Sequence, residues 1–108
     1  MSAKVLGQSA PAATTNTDLY TVPSGKQAVS STLTVCNRSA AAVSYRVAVR
    51  PAGAAIGNAH YLVYGVELAA NSTDCFTIGI TLAATDVVTV YAAAADLSFS
   101  LFGDESTA

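Results

Sequence analysis

The chain of 108 residues is 52% hydrophobic and only 11% charged, and its formal net charge at pH 7 is -2. This length suits one domain with one core, and the hydrophobic content excludes a disordered chain, which needs low hydrophobicity and high charge. The balance of charge gives no electrostatic reason to bind nucleic acid or an anionic membrane. Because charged residues usually form ~25% of a soluble domain, so few of them indicate that other protein covers part of the surface.

The N-terminal segment, residues 1–16, shows no regular period and is rich in Ala, Ser and Thr. We interpret it as a flexible N-terminal arm. It holds no apolar run with the length of a signal peptide or of a membrane-spanning helix. We therefore expect assembly in the cytoplasm, where Cys36 and Cys75 are free thiols.

Seven stretches that follow have the pattern of β-strands separated by turn residues. Apolar or small side chains alternate with hydroxyl side chains where strands are predicted, and Pro and Gly mark the turns between them. The predicted strands are Thr17–Val22, Val29–Cys36, Ala42–Arg50, Ala59–Tyr64, Cys75–Ile80, Val87–Ala93 and Leu97–Phe102.

Strands at this spacing predict an all-β fold, a single antiparallel β-sandwich of the immunoglobulin-like or jelly-roll-like kind over residues 17–103. Residues 104–108 then form a short acidic tail. The core is predicted from the apolar parity of each strand. Its members are Leu33, Val35, Val47, Val49, Phe76, Ile78 and Phe99.

The sequence shows no arrangement of residues typical of catalysis or of metal binding. His60 is the only histidine, no serine lies in a G-x-S-x-G motif, and the two cysteines lack the paired spacing of a zinc site. The aspartates stand at junctions of strands and loops, where a carboxylate accepts backbone hydrogen bonds. We therefore expect no catalytic residue, no metal and no cofactor, and a protein that is not an enzyme.

Charged residues give the one indication of a contact surface. Arg46 and Arg50 are four residues apart on one predicted strand and so share a face, with Arg38 in the preceding turn. One interpretation is a solvated sheet face. The other is a partner-contact patch, because arginine is enriched at interfaces and binds carboxylates through its planar fork. The acidic tail of another copy, with Asp104 and Glu105, offers such carboxylates.

Four blocks of the sequence, "TDLYTVPSGKQAV", "VCNRSAAAVSYRVAVRPAG", "HYLVYGVELAANST" and "GITLAATDVVTVYAAAADLSFSLFG", together resemble a family of small β-rich virion structural proteins of tailed bacteriophages. The resemblance extends over residues 17–103. It implies a non-enzymatic virion component, in the first place a capsid decoration (cement) protein that contacts the major capsid protein and reinforces the head as a homo-oligomer, with a trimer favoured. The N-terminal arm would then reach onto neighbouring subunits.

Two alternatives stay open beside capsid decoration. One is a tail, baseplate or fibre-associated structural protein. The other is a small receptor-binding or carbohydrate-binding module. An aromatic sugar-binding platform would need Tyr61 and Tyr64 on one face, whereas strict alternation along their strand places them on opposite faces.

Overall fold

The computed structural model describes residues 2–108. Within this range the strands are β1 Ser2–Ser9, β2 Thr17–Thr21, β3 Lys26–Asn37, β4 Val43–Arg50, β5 Tyr61–Leu68, β6 Thr73–Phe76, β7 Ile80–Leu82, β8 Val87–Ala92 and β9 Leu97–Thr107. Sheet A has the order β1-β9-β3-β6, with β7 also paired to β3, and sheet B has the order β2-β8-β4-β5. All pairings are antiparallel, and the two sheets enclose one core, so the predicted all-β sandwich is confirmed.

The fifth predicted strand, Cys75–Ile80, is wrong as a single element. The chain forms β6 up to Phe76, leaves the sheet, and returns as β7 from Ile80, and both short strands pair with β3. Ile78 lies in the interruption and is 41% exposed, so its assignment to the core is also wrong. Alternation of apolar residues cannot show where a strand leaves its partner.

The N-terminal arm is wrong as a description of residues 2–9. These residues form β1, which pairs with β9 from Ser2 opposite Glu105 to Ser9 opposite Phe99. An edge strand with one solvated face needs few apolar side chains, and in this one Leu6 packs against the core. The alternation of apolar and polar residues in β1 is therefore too weak to predict a strand. Met1, the first residue of the predicted arm, lies outside the described residues.

The predicted acidic tail, residues 104–108, is also part of sheet A. Asp104 and Glu105 continue β9, which ends at Thr107. On one side they pair with β1 and on the other with β3, where Asp104 lies opposite Val29. The sandwich domain therefore extends beyond the predicted limits of residues 17–103 at both ends.

A β-bulge in β3 reverses the direction of its side chains. The pairing of β3 with β9 skips Ser31. After the bulge Leu33 and Val35 are buried, as predicted, but before it Ala28 is buried and Val29 is 48% exposed. Because one extra residue moves every later side chain to the other face, strict alternation through Val29–Cys36 is wrong in its first part.

The core is centred on an aromatic pair that joins the two sheets. The rings of Tyr45 in sheet B and Phe99 in sheet A are fully buried and meet edge to face, with centroids 6.1 Å apart. The hydroxyl of Tyr45 donates a hydrogen bond of 2.7 Å to the carboxylate of Asp74 on β6, which satisfies its polar atom. Burial of the predicted core residues Leu33, Val35, Val47 and Phe99 is confirmed, whereas Val49 and Phe76 are only partly buried against the core.

Substitution of Phe99 and of Phe76 tests which positions belong to the buried core and which lie at its edge. Phe99→Ala should lower the free energy of unfolding by about 3–5 kcal/mol, as for other buried aromatic residues, because Phe99 is 1% exposed. Phe76→Ala should cost clearly less, since its ring is partly exposed on the short strand β6. Urea unfolding of both variants measures the difference, and equal losses would contradict this description of the core.

Gly103 tests the bulge directly. It lies opposite Ser30 beside the bulge, and a Cβ at this position would overlap the carbonyl oxygen of Val29. Gly103→Ala should therefore destabilise the fold by about 1–3 kcal/mol, as overpacking does. Gly79→Ala is the matched control, because its Cβ would meet no atom within 4 Å. If the two alanine variants unfold at the same urea concentration, the close approach of β3 and β9 at the bulge is not real.

Candidate partner-binding surface

Two of the three arginines predicted as contact residues bind other parts of the same chain. The guanidinium of Arg50 forms an ion pair of 2.9 Å with Asp18 on β2 and donates a hydrogen bond of 3.0 Å to the hydroxyl of Thr89 on β8. Arg38 donates a hydrogen bond of 3.0 Å to the carbonyl oxygen of Ala95. Both arginines therefore fix neighbouring segments of the chain.

Glu105 joins the two sheets at the other end of the sandwich. One of its carboxylate oxygens lies 3.0 Å from the ammonium group of Lys4 on β1, and the other accepts a hydrogen bond from the hydroxyl of Tyr20 in sheet B. The hydrogen bond from Tyr20 and the charge of Lys4 hold the pKa of Glu105 below its ordinary value. Burial and the carboxylate of Glu105 raise the pKa of Tyr20.

The predicted contact between the arginines and the acidic tail of another copy stays a prediction. Arg46 and Arg50 lie in sheet B, whereas Asp104 and Glu105 lie in sheet A. Glu105 already has two partners, and the side chain of Asp104 is half-exposed without an ion pair to another described residue. Of the five predicted contact residues, Arg46 is the one that lies between aromatic rings on an outer face.

Arg46 lies between two tyrosine rings on the outer face of sheet B. Its guanidinium carbon is 4.3 Å from the ring centroid of Tyr64 on β5 and 4.3 Å from that of Tyr91 on β8. The register explains this, because both tyrosines stand directly opposite Arg46 on the neighbouring strands. Each such contact stabilises by about 0.5–1 kcal/mol at exposed sites. The two rings hold the plane of the guanidinium in place.

Tyr61 and Tyr64 share a face, so the prediction that they point in opposite directions is wrong. Their ring centroids are 4.8 Å apart and their planes are inclined by 82°. The pairing of β5 with β4 is irregular at Leu62 and at Gly65, and Gly65 adopts a φ of +72°, which favours glycine. The bulge at Leu62 adds one residue between the two tyrosines and restores them to one face.

Exposed apolar side chains are concentrated on the same strand. Leu62 is 50% exposed, Tyr64 61% and Val66 46%. Glu67 follows them and is also exposed. It stands opposite Ser44 in the pairing with β4, and Ser44 is two residues from Arg46, so the carboxylate and the guanidinium share the outer face. Val66 stands opposite the core residue Tyr45, so the register places its side chain at the inner rim of sheet B rather than on the outer face. We define the β5 patch as the outer-face residues Arg46, Tyr64 and Glu67 together with the exposed edge-strand residues Leu62 and Val66.

The sequence contained a signal for this patch that strict alternation missed. An isolated glycine within a strand pattern indicates a bulge, and Gly65 stands directly after Tyr64 in "YLVYGVEL". That glycine marks the irregularity after Tyr64, whereas the shift at Leu62, which brings Tyr61 and Tyr64 to one face, has no such signal in the sequence. The contact of Tyr91 with Arg46 depends on the pairing of β4 with β8, which distant sequence segments do not reveal.

The sequence offered one histidine and two cysteines as further candidates for chemistry. Nδ1 of His60 accepts a hydrogen bond of 3.0 Å from the backbone N–H of Gly57. Cys36 and Cys75 are free thiols on neighbouring strands. Within residues 2–108, no three His, Cys, Asp or Glu side chains are grouped closely enough to hold a metal ion. In the same range no helix has the length and apolar character needed to cross a membrane.

Comparisons of the chain with protein-family models, with curated proteins and with solved structures found no match.

Removing the carboxylate at position 105 should alter the dependence of stability on pH. Because the folded pKa of Glu105 is lowered, its contribution is present above the ordinary pKa of about 4.3 and is lost as pH falls through the lower folded value. Glu105→Gln should therefore lower the melting temperature at neutral pH and flatten its fall towards about pH 3. Asp96→Asn, at an exposed carboxylate, is the control. If the melting temperatures of wild type and Glu105→Gln fell in parallel as the pH is lowered, the Glu105 carboxylate would not contribute the stability assigned to it.

Proposed function

We propose that this protein is a non-enzymatic structural component of a tailed-bacteriophage virion, and that it decorates the capsid as a homo-oligomer. The β5 patch is the observation that carries the proposal. It places Arg46 and Tyr64 on an exposed face, with Leu62 and Val66 exposed along the edge strand beside them, and arginine and tyrosine are enriched in protein interfaces and their hot spots. The family resemblance over residues 17–103 supports the virion as the setting and the major capsid protein as a partner.

The surface composition supports the same proposal. A chain that is 11% charged has few groups with which to solvate a monomer. Contiguous exposed apolar side chains mark interaction sites on soluble proteins. A small sandwich with such a face is suited to repeated contacts with identical neighbours. Attachment through an N-terminal arm is not part of the proposal, because residues 2–9 form β1.

Carbohydrate binding is the second candidate. The sequence placed Tyr61 and Tyr64 on opposite faces, which argues against a sugar-binding platform, but in the structure the two rings are in contact. Sugars stack on exposed aromatic faces, however, and the two rings are inclined by 82° rather than forming a flat platform. The guanidinium of Arg46 also occupies one face of Tyr64 and one of Tyr91. The arrangement therefore suits contact with protein better than stacking of a sugar ring.

The experiment is to mix the purified full chain with undecorated capsids and, separately, with purified tails, and to count bound copies after sedimentation. We expect binding to capsids. The double variant Leu62→Thr and Val66→Thr should bind in fewer copies, because it removes exposed apolar area from the β5 patch while keeping residues that suit a strand.

The control is the double variant Val29→Thr and Ile78→Thr. Its two positions are 48% and 41% exposed, compared with 50% for Leu62 and 46% for Val66, but they lie outside the patch. This variant should bind capsids as wild type does. Binding to tails and not to capsids would replace decoration by the tail alternative. Binding to neither would remove the virion proposal.

A further inference from the structure

We propose that the β5 patch binds a second copy of this chain across a two-fold axis, with Arg46 of each copy on Glu67 of the other. The inference rests on the proposed function, in that it identifies one partner of a homo-oligomeric virion component. Its test needs the purified chain alone, so it can fail or succeed independently of capsid binding.

The apolar part of the patch gives the area for such a contact. Tyr64, which is 61% exposed, is on the outer face, and Leu62 at the bulge and Val66 at the inner rim of the same strand are exposed beside it. The other exposed large apolar side chains among residues 2–108 are Val5, Val29 and Ile78, and the first two share the outer face of sheet A, since they stand opposite Phe102 and Asp104 of β9. Exposed apolar area marks a binding surface, and on β5 it adjoins an arginine and a glutamate that have no ion pair within the described chain.

The arginine of the patch is prepared for a carboxylate. Stacking between Tyr64 and Tyr91 fixes the plane of Arg46, so little side-chain entropy is lost when its fork binds. Ion pairs within the described chain involve only Lys4 and Arg50 among the cations. Arg46 therefore has no carboxylate of its own, although its stacking orients it on an outer face.

The chain carries a matching carboxylate on the same face. Glu67 is exposed and, like Arg46, forms no ion pair with a described residue. It stands opposite Ser44, one row along from Arg46 and Tyr64. Each copy thus presents one unpaired positive and one unpaired negative group beside an exposed aromatic ring.

This arrangement is self-complementary under a two-fold axis. In such an interface, residue i contacts residue j of the partner and residue j contacts residue i in return. An axis that runs midway between Arg46 and Glu67, parallel to the sheet face, superposes opposite charges at two places. The patch therefore favours a dimer with two-fold symmetry over the trimer that the family resemblance implies.

Contact through side chains also agrees with the shape of the edge. The pairing of β5 with β4 is irregular at two places, Leu62 and Gly65. Bulges of this kind twist an edge strand and hinder continuation of the sheet by another chain. A second copy is therefore expected to pack on the outer face of sheet B rather than to extend its hydrogen bonding.

Charge exchange provides the test. Sedimentation velocity of the full chain over a series of concentrations should show a reversible monomer–dimer equilibrium. Arg46→Glu and Glu67→Arg should each raise the dimer dissociation constant at least about tenfold, because like charges then face each other twice. The double variant Arg46→Glu with Glu67→Arg should recover most of the lost affinity, since the pair is restored in reverse.

Lys26→Glu and Asp96→Arg are the controls, because they change the net charge by the same amounts outside the patch and should leave the dimer unchanged. Circular dichroism confirms that each variant is folded, and Glu67→Arg keeps the test valid if Arg46→Glu disturbs the stacked tyrosines. A wild-type chain that stays monomeric would overturn the proposal, as would a trimer. Single variants without effect, or a double variant that recovers no affinity, would overturn it equally.

Discussion

The fold depends on the pairing of β3 with β9. This pairing runs from Lys26 opposite Thr107 to Asn37 opposite Leu97, and it forms the centre of sheet A. β9 carries β1 on its other side, and β3 carries β6 and β7. Sheet A therefore cannot assemble before residues 97–107 are in place, and such non-local pairing is typical of slowly folding β-proteins.

The same constraint determines which surfaces remain for partners. In sheet A one edge strand, β1, has a register shift near Leu6, and the other edge is interrupted between β6 and β7. In sheet B both edge strands, β2 and β5, have register shifts. Irregular edges resist the addition of further strands. Contacts with other proteins are therefore expected through side chains rather than through added strands. The β5 patch offers exposed apolar and charged side chains for such a contact.

Sequence alone predicts the fold class and six of the strands here, because alternation of apolar and polar residues is strong wherever one face of a strand is buried. It fails where local pattern and pairing differ. The skipped Ser31 reverses parity in β3, and the bulge at Leu62 brings Tyr61 and Tyr64 together. The edge strand β1 buries too little to show a period. The stacking of Arg46 on Tyr91 depends on a pairing between segments far apart in the sequence.

The central claim is that the outer face of sheet B is covered by protein when the molecule is assembled. The most direct measurement is a density map of the intact virion, at a resolution that orients the two sheets and gives the copy number relative to the major capsid protein. The account predicts this chain on the capsid surface, with Tyr64 and Arg46 buried against a neighbouring subunit. A map in which the chain is on the head with that face open to solvent, and is held instead through sheet A, would contradict it.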